Sequence, residues 1–481
     1  MIPWDVVVVG AGSAGAALAS RLSEDPGRRV LLLESGPNHT SADTPGSIRG
    51  RSLMAALSEP GRIWPALTAV CVEGQAHIPY WRGRGVGGSS AVNAQVAIRG
   101  LPGDYDRWAA QGCTGWGSHG VRTAFERVST RIPAKRRPEA EWSAFDRGLL
   151  AGCIDRGHSR CDSDDIEGVV GVSPAALTRS DGRRVSTNDA YLEPARGRSN
   201  LEIRGDVLVD RVLVEHGRAT GVRTSDGEVK ARHVVISAGA IHSPAILLRS
   251  GLDAVRPGIG RNLAEHPKVM ATLQLAARVV ERDGDSPSTG CILRWSSRLP
   301  GCGEADLQIL PLNHMEPSAP EIVRVLAAVM EPFSRGAVTL ASDDPSVDPH
   351  VEFRLLSDPR DHARIRLAAQ MLFAVLDSKT IAELTSGAAT LDESGTTPRD
   401  LAEGAALDAW LRSNVSDYVH ACGTCKMGSP DDPLSVVDPS CRFIALEGLS
   451  VVDASVMPTI PRANTHLSSV MIAERAASFF A

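Results

Sequence analysis

Two histidines near the C-terminal end sit among small, hydroxyl and sulfur residues: His420-Ala421-Cys422-Gly423-Thr424-Cys425-Lys426-Met427 and Ala463-Asn464-Thr465-His466-Leu467-Ser468-Ser469. Imidazole has an ordinary pKa close to neutrality, which suits it to take a proton from a hydroxyl group. A histidine drawn at random from the thirteen in the chain is a core or surface residue, so the setting of these two must carry any catalytic role. Cys422 and Cys425 form a Cys-x-x-Cys, the spacing of a redox dithiol or of half a zinc site. No second Cys-x-x-Cys exists to complete a zinc set, and no metal is expected.

A second kind of chemistry is written in glycine. Gly10-Ala11-Gly12-Ser13-Ala14-Gly15 follows the β-branched run Val6-Val7-Val8-Val9 and opens the helical pattern Ala16–Leu22. Asp25-Pro26-Gly27 then turns the chain into the apolar run Val30–Leu33, closed by Glu34. Strand, glycine turn, helix, strand and acid in this order form a dinucleotide-binding unit. Gly10 permits the turn, Gly12 lets backbone approach a pyrophosphate, and Gly15 lets helix and strand pack closely. The helix N-terminus offers free N–H groups to the phosphates. Glu34 is placed to accept from a ribose diol, and its charge would repel a 2′-phosphate, which argues against NADP. Alone, this unit does not separate NAD from FAD. Gly83, Gly85, Gly87, Gly88, Ser89 and Ser90 surround Val86 in a second cluster ending at Asn93. Such backbone packs against something flat or anionic, and two such loops in one chain favour a second contact with the same cofactor.

The rest of the chain must position these groups. A length of 481 residues suggests two domains. Hydrophobic content of 43% and charged content of 22% are those of a globular protein. A net charge of −6 without a long basic run leaves no footprint for nucleic acid or an anionic membrane. No apolar stretch approaches the ~20 residues of a membrane span. The first strand begins within five residues of Met1, too soon for a secretory leader. Nine scattered cysteines do not make a disulfide framework, so the expected location is the cytoplasm.

Between Gly36 and Ile78 only Ser52–Leu57 reads as a helix, and Ser129–Glu167 reads as polar loop, with Lys135-Arg136-Arg137 a solvated patch. Leu201–Ile203, Val207–Glu215, Ala219–Thr224 and Val229–Ile236 predict an antiparallel meander. Ala305–Leu310 and Gly336–Leu340 predict strands, and Asp358-Pro359 predicts a helix start before the amphipathic Ala363–Leu376. Glu281–Thr289 and Gly387–Asp400 read as loops and entrance elements.

Gly10–Gly15 with Glu34, Gly83–Asn93, Gly239-Ala240-Ile241-His242-Ser243-Pro244 to Gly251, Pro257–Leu263, His420–Met427 and Val452-Asp453-Ala454-Ser455 to His466 together resemble the glucose–methanol–choline (GMC) flavin oxidoreductases. The likeness spans essentially the whole chain. Asp253 stands where the family usually has glycine, which touches a turn and not the chemistry. The resemblance implies an α/β fold: a Rossmann-like FAD-binding domain of the GR2 flavoprotein type, and an α+β substrate domain of antiparallel sheet covered by helices. It implies a discontinuous FAD domain over 1–140, 185–267 and 412–481, and a substrate domain over 141–184 and 268–411.

The resemblance also implies FAD as cofactor and assigns residues to it. Gly10, Gly12, Ser13, Ala14, Gly15, Glu34 and Ser35 fall to the adenosine and phosphates. Arg84, Gly87, Gly88, Ser89, Asn93 and Ala94 run along the pyrophosphate to the flavin ring. Val207 contacts adenine through its main chain, Ala238 ends a strand that returns to the cofactor, and Asp453 and Ala454 lie on the phosphate side. Thr465, His466 and Leu467 open a last helix whose positive end would face the flavin N1–C2=O edge. Some members bind FAD covalently through a histidine just before the asparagine; Val92 occupies that place, so non-covalent FAD is expected. His420 corresponds to the base that removes a hydroxyl proton while hydride passes to flavin N5, and His466 to its partner on the substrate oxygen. The implied reaction oxidises a small alcohol to aldehyde or ketone, with oxygen or another redox partner as electron acceptor. A hydroxynitrile lyase with non-redox FAD is an alternative. An NAD-dependent dehydrogenase is disfavoured by the second glycine cluster, and a non-catalytic binding protein by the histidine pair. Sugar-like, aromatic and natural-product alcohols all remain open; Asp181–Leu192 resembles the mycofactocin-associated branch.

Overall fold

A computed structural model describes residues 3–136, 138–161, 170–280, 288–316, 318–401 and 404–480. In chain order the elements that position the site are β1 (Trp4–Val9), α1 (Ser13–Leu22), β2 (Val30–Leu33), β3 (Gly171–Pro174), β4 (Leu201–Arg204), β5 (Val209–Glu215), β6 (Arg218–Thr224), β7 (Gly227–Ile236), α2 (Gly239–Arg249), β8 (Lys268–Gln274), β9 (Cys291–Trp295), β10 (Leu307–Leu312), β11 (Ile322–Val329), α3 (Pro359–Leu376), β12 (Leu449–Val451) and α4 (Thr465–Ala476).

The first sheet has the order β4-β2-β1-β7-β6-β5, with β12 beside β7. β4, β2, β1, β7 and β12 are parallel, and β5 and β6 fold back antiparallel on the long β7. Every residue of Val6–Val9 and Val30–Leu33 is buried, as parallel strands covered on both faces require. α1 packs against α4 over this sheet, and both helices contribute to one core with β1, β2 and β7. The expected meander is therefore shorter than its pattern. Leu201–Arg204 pairs parallel with β2 and continues the dinucleotide half. A four-residue apolar run fixes no pairing direction; here the free edge of β2 takes it.

The second sheet, β8-β11-β10-β9-β3, is antiparallel throughout. Its two faces do different work. Val269, Ala271, Leu293, Ile309, Val325 and Ala327 point into a core shared with α3. Ile292, Leu310, Leu326 and Ala328 point the other way and pack with Tyr418 and Ala463. α3 starts as its sequence predicts, with the Asp358 carboxylate accepting from Arg360 N and Pro359 in the first turn. Ala337–Thr339 does form a strand, but pairs with His350–Glu352 outside this sheet.

The stretch from Ser129 to Glu167 is not all loop. Ala144–Asp155 is a helix capped by Ser143, whose hydroxyl accepts from Asp146 N while the Asp146 carboxylate accepts from Ser143 N. Phe145, Leu149 and Cys153 give it a buried stripe at four-residue spacing, interrupted in sequence by glycines that read as loop. Arg137 and 162–169 of this stretch, and 281–287 of the expected Glu281–Thr289 loop, lie outside the described residues. Gly387–Asp400 is irregular and touches β8 through one bridge, Thr390 to Thr272. Among the described residues no helix is long and apolar enough to cross a membrane.

Candidate active site

The first glycine loop behaves as its residue types require. Gly10 has φ +100°, and a Cβ there would lie 2.5 Å from Ser237 O, just past the end of β7. A Cβ on Gly15 would lie 1.9 Å from Gly10 O, so α1 can cross β1 this closely only without a side chain. Gly12 is different: nothing stands within 4 Å of its missing Cβ, so packing inside the chain does not explain it and open space remains for a ligand. No side chain caps α1, and the N–H groups of Ser13 and Ala14 keep their positive end for an anion.

The second loop is packed on the first. Gly87 N donates to Ala11 O at 2.9 Å, and a Cβ on Gly88 would lie 2.7 Å from Gly12 Cα. Glu34 ties both together: Oε2 accepts from Ala11 N at 2.8 Å, and Oε1 from Gly85 N at 2.9 Å and Gly36 N at 3.0 Å. Ser35 Oγ also donates to Glu34, and Arg84 Nη2 donates to Ser35 O at 2.6 Å. Val207 N donates to Glu34 O, closing this end from the far side. Ser89 Oγ accepts from Gly83 N at 3.0 Å. Asn93 Oδ1 accepts from Gln95 N at 2.9 Å and from Arg184 Nη1 at 3.0 Å, with Ala94 against the sheet face that carries Leu310. The Asp453 carboxylate accepts from Gly239 N, Ser243 Oγ and Ser455 N, joining the end of β12 to the start of α2; Ala238 N donates to Ser243 Oγ, and Ala454 O accepts from Gly423 N.

The histidines meet at the N-terminus of α4. His466, in its first turn, has Nδ1 3.1 Å from Ser13 Oγ, which joins the C-terminal motif to the first glycine loop. Its Nε2 is buried and has no partner. Asn464 stands at the N-cap of α4, where asparagine normally accepts from the first turn, yet no side-chain cap forms. Its Nδ2 instead lies 3.1 Å from His420 Nε2. The other nitrogen of His420, Nδ1, lies 2.9 Å from His266 Nδ1. With the Asn464 amide as donor, Nε2 of His420 is the acceptor and its ring proton sits on Nδ1.

Burial sets the protonation of this cluster. It drives the His420 pKa well below the ordinary value, with His266, Arg82 and Lys268 adding to the effect. Burial lowers His266 to about 3, and burial followed by Arg184 lowers His466 to about 4. Both expected catalytic imidazoles are thus neutral near pH 7, the state a base needs before it acts. Behind them, Glu265 accepts from His420 N at 2.6 Å, from His266 N and from Tyr80 Oη. Burial and then Asp417 push its pKa up.

Sequence reading missed Glu265, His266, Tyr418, Asn464 and Arg184. Glu265-His266 follows the Pro257–Leu263 motif after one intervening alanine, and Asn464 lies inside the run Ala463–Ser469 just before α4. Tyr418, whose ring centroid is 4.5 Å from that of His420, carries no local signal. Glu265, His266 and His420 bring possible metal-ligand atoms within 4.8 Å of one another, but those atoms already accept from or face each other. Cys422 and Cys425 are buried and unpaired, with burial pushing both thiols up. Neither has the low pKa and access that thiol chemistry needs.

These residues fit a dinucleotide ending in an aromatic ring system: an open approach at Gly12, two uncapped helix N-termini, and orphaned Nε2 of His466 and Oδ1 of Asn464. Residues 4–268 and 332–473 match the two family models for GMC oxidoreductases. The chain is 34% identical to 5-(hydroxymethyl)furfural oxidase of Methylovorus sp. (strain MP688), with 98% of each covered. It is 31% identical to mitochondrial choline dehydrogenase of Homo sapiens, over 98% of this chain and 89% of that one. Among solved structures, pyridoxine 4-oxidase from Mesorbium loti matches with a TM-score of 0.85 at 28% identity, covering 99% of this chain and 98% of that one. Fold and sequence agree: the chain belongs to the GMC oxidoreductases, FAD-dependent enzymes that act on alcohol groups.

Proposed function

We propose that this chain oxidises a small-molecule alcohol to its aldehyde or ketone, with His420 as base and His466 as hydrogen-bond partner of the substrate oxygen. The observation that carries this reading is the pair of buried, neutral imidazoles at the N-terminus of α4, one of them bonded to the first glycine loop. FAD, when bound, supplies the acceptor for the hydride that leaves the carbinol carbon. The Nε2 lone pair of His420 takes the hydroxyl proton once the substrate oxygen replaces the Asn464 amide as its partner. Ser13 Oγ–H donating to His466 Nδ1 leaves the proton of His466 on Nε2, directed at the oxygen where negative charge develops. The uncapped first turn of α4 adds half a positive charge at the same place.

Gly12, Ser13 and Ala14 would hold the pyrophosphate, Glu34 the adenosine ribose, and Asn93, Ala94 and the start of α4 the flavin. Val92 offers no nucleophile, which supports non-covalent FAD: acid precipitation is expected to leave the yellow colour in the supernatant, and a yellow pellet would refute it. Relatives named for 5-(hydroxymethyl)furfural, choline and pyridoxine support an alcohol as substrate. An odd number of cysteines, nine, scattered through the chain supports a reducing compartment, the cytoplasm. The test is anaerobic mixing with an alcohol panel. Bleaching of the flavin absorbance supports oxidation, and a flavin that no alcohol bleaches overturns it. Admitting air afterwards separates oxygen, which restores the colour rapidly, from another electron acceptor.

A further inference from the structure

The sheet face that looks toward His420 carries a row of side chains that the reaction above does not use. Arg294 on β9 is register partner of Gln308 on β10, Gln308 of Ala328 on β11, and Ala328 of Lys268 on β8. Cross-strand partners share a face, and this is the face on which Ile292, Leu310 and Leu326 pack with Tyr418 and Ala463. Two contacts connect the row to the histidines. Gln308 Nε2 donates to Tyr418 Oη at 2.8 Å, and the Tyr418 ring lies against His420, tilted by 39°. Arg294 Nη2 donates to Arg462 O at 2.7 Å, two residues before the asparagine bonded to His420.

Arg294 is only 2% exposed, and its Nε and Nη1 have no acceptor; Gln308, fully buried, has Oε1 without a donor. No ion pair is formed by Arg294 among the described residues. Asp104, the first of the charges that act on it from a distance, already accepts from Arg107, Arg462 and the Leu101 N–H. Burial lowers Arg294 to about 10, so it stays charged at neutral pH. An unpaired buried cation is among the costliest groups a fold can hold. Lys268, the other cation in the row, is satisfied by Ser416 Oγ at 2.9 Å and the Asp417 carbonyl. Arg294 alone keeps donors in hand, between Gly171 on β3 and Gln308 on β10, with the small Ala328 next along the row on β11 and an apolar wall around it.

We propose that the alcohol oxidised here has an apolar body and carries a carboxylate set back from the reacting carbon, and that Arg294 holds this carboxylate while Gln308 Oε1 accepts from the same molecule. This substrate class rests on the alcohol-oxidation reading above. The test uses the FAD-loaded enzyme with 4-(hydroxymethyl)benzoate and its methyl ester, followed by anaerobic flavin bleaching. The carboxylate is expected to reduce the flavin about 30-fold or more efficiently than the ester, the size associated with a buried charge pair. Arg294→Gln should erase that preference and leave the ester within about 3-fold, whereas Arg294→Lys should retain part of it. A second readout needs no turnover and no variant: 4-methylbenzoate should perturb the wild-type flavin spectrum saturably, and 4-methylbenzamide should not. Equal use of acid and ester, equal loss of both in Arg294→Gln, or equal binding of benzoate and benzamide would each overturn the proposal. If benzoate binds through Arg294 while no alcohol bleaches the flavin, the anion site stands and the alcohol reading falls.

Discussion

At the scale of single residues, the site turns on which nitrogen of each imidazole is free. His420 has both nitrogens engaged, by His266 and Asn464, while His466 has one engaged and one orphaned. That asymmetry fits a base whose proton is fixed on the far side and a partner whose donor faces the substrate. His420→Ala is therefore expected to slow flavin reduction roughly 10²–10⁴-fold, as for a lost general base, with the flavin absorbance of the purified enzyme unchanged. Stopped-flow reduction by a saturating alcohol measures it, and a rate equal to wild type would remove His420 from the base role. The two histidines and the glycines were legible in sequence because each sits in a short motif with its own chemistry. His266, Tyr418 and Arg294 were not, because their meaning comes from what faces them across the fold. Arg294 lies in an ordinary apolar strand, Cys291–Trp295, and becomes notable only through its register with Gln308 and its lack of an anion.

At the scale of elements, β1-α1-β2 was legible almost to the residue, since local requirements decide it. The buried run, the turn at Gly10 and the crossing at Gly15 all lie within thirty residues of one another. The helix Ala144–Asp155 and the pairing of Leu201–Arg204 were not, because glycine in a helix and a short run beside an open edge are decided by tertiary contacts. The two glycines of α1 make opposite predictions. Gly15→Ala forces a Cβ into Gly10 O, backbone that cannot step aside, and should destabilise the fold by about 3 kcal/mol or more. Gly12→Ala meets no protein atom and has an ordinary φ of −76°, so the apoprotein should keep its stability within about 1 kcal/mol. FAD affinity should nevertheless fall about 10-fold or more, because the new methyl occupies the space left for the pyrophosphate. Thermal melts of both apoproteins and FAD titration of Gly12→Ala check the pair. A Gly12→Ala variant that binds FAD as tightly as wild type would show that the open space is not the phosphate site.

At the scale of the whole molecule, buried ionisable groups make its stability depend on pH, each with a definite sign. His266, His420 and His466 have pKa values below that of an unfolded histidine, all through burial. Between pH 6.5 and about 4 the unfolded chain therefore binds protons that the folded chain refuses, and stability falls as pH falls, by at most about 1.4 kcal/mol per pH unit for each group. Glu265, Asp453 and Glu474 act in the opposite sense: burial raises their pKa values, so the stability they contribute is present at low pH and lost as pH rises through those values. Below about pH 4.3 those carboxyls are protonated in both states, while the histidines still differ. The acid limb should accordingly steepen between pH 5 and pH 4. The melting temperature of the FAD-loaded enzyme, followed by the release of flavin fluorescence, is expected to fall across pH 6.5 to 4. His466→Gln removes one titrating ring and should make that limb shallower while leaving the melting temperature at pH 7.5 changed less than at pH 4.5. An acid limb that His466→Gln leaves as steep as in wild type would mean that this ring is already protonated in the folded enzyme, and would remove the neutral partner on which the proposed chemistry depends.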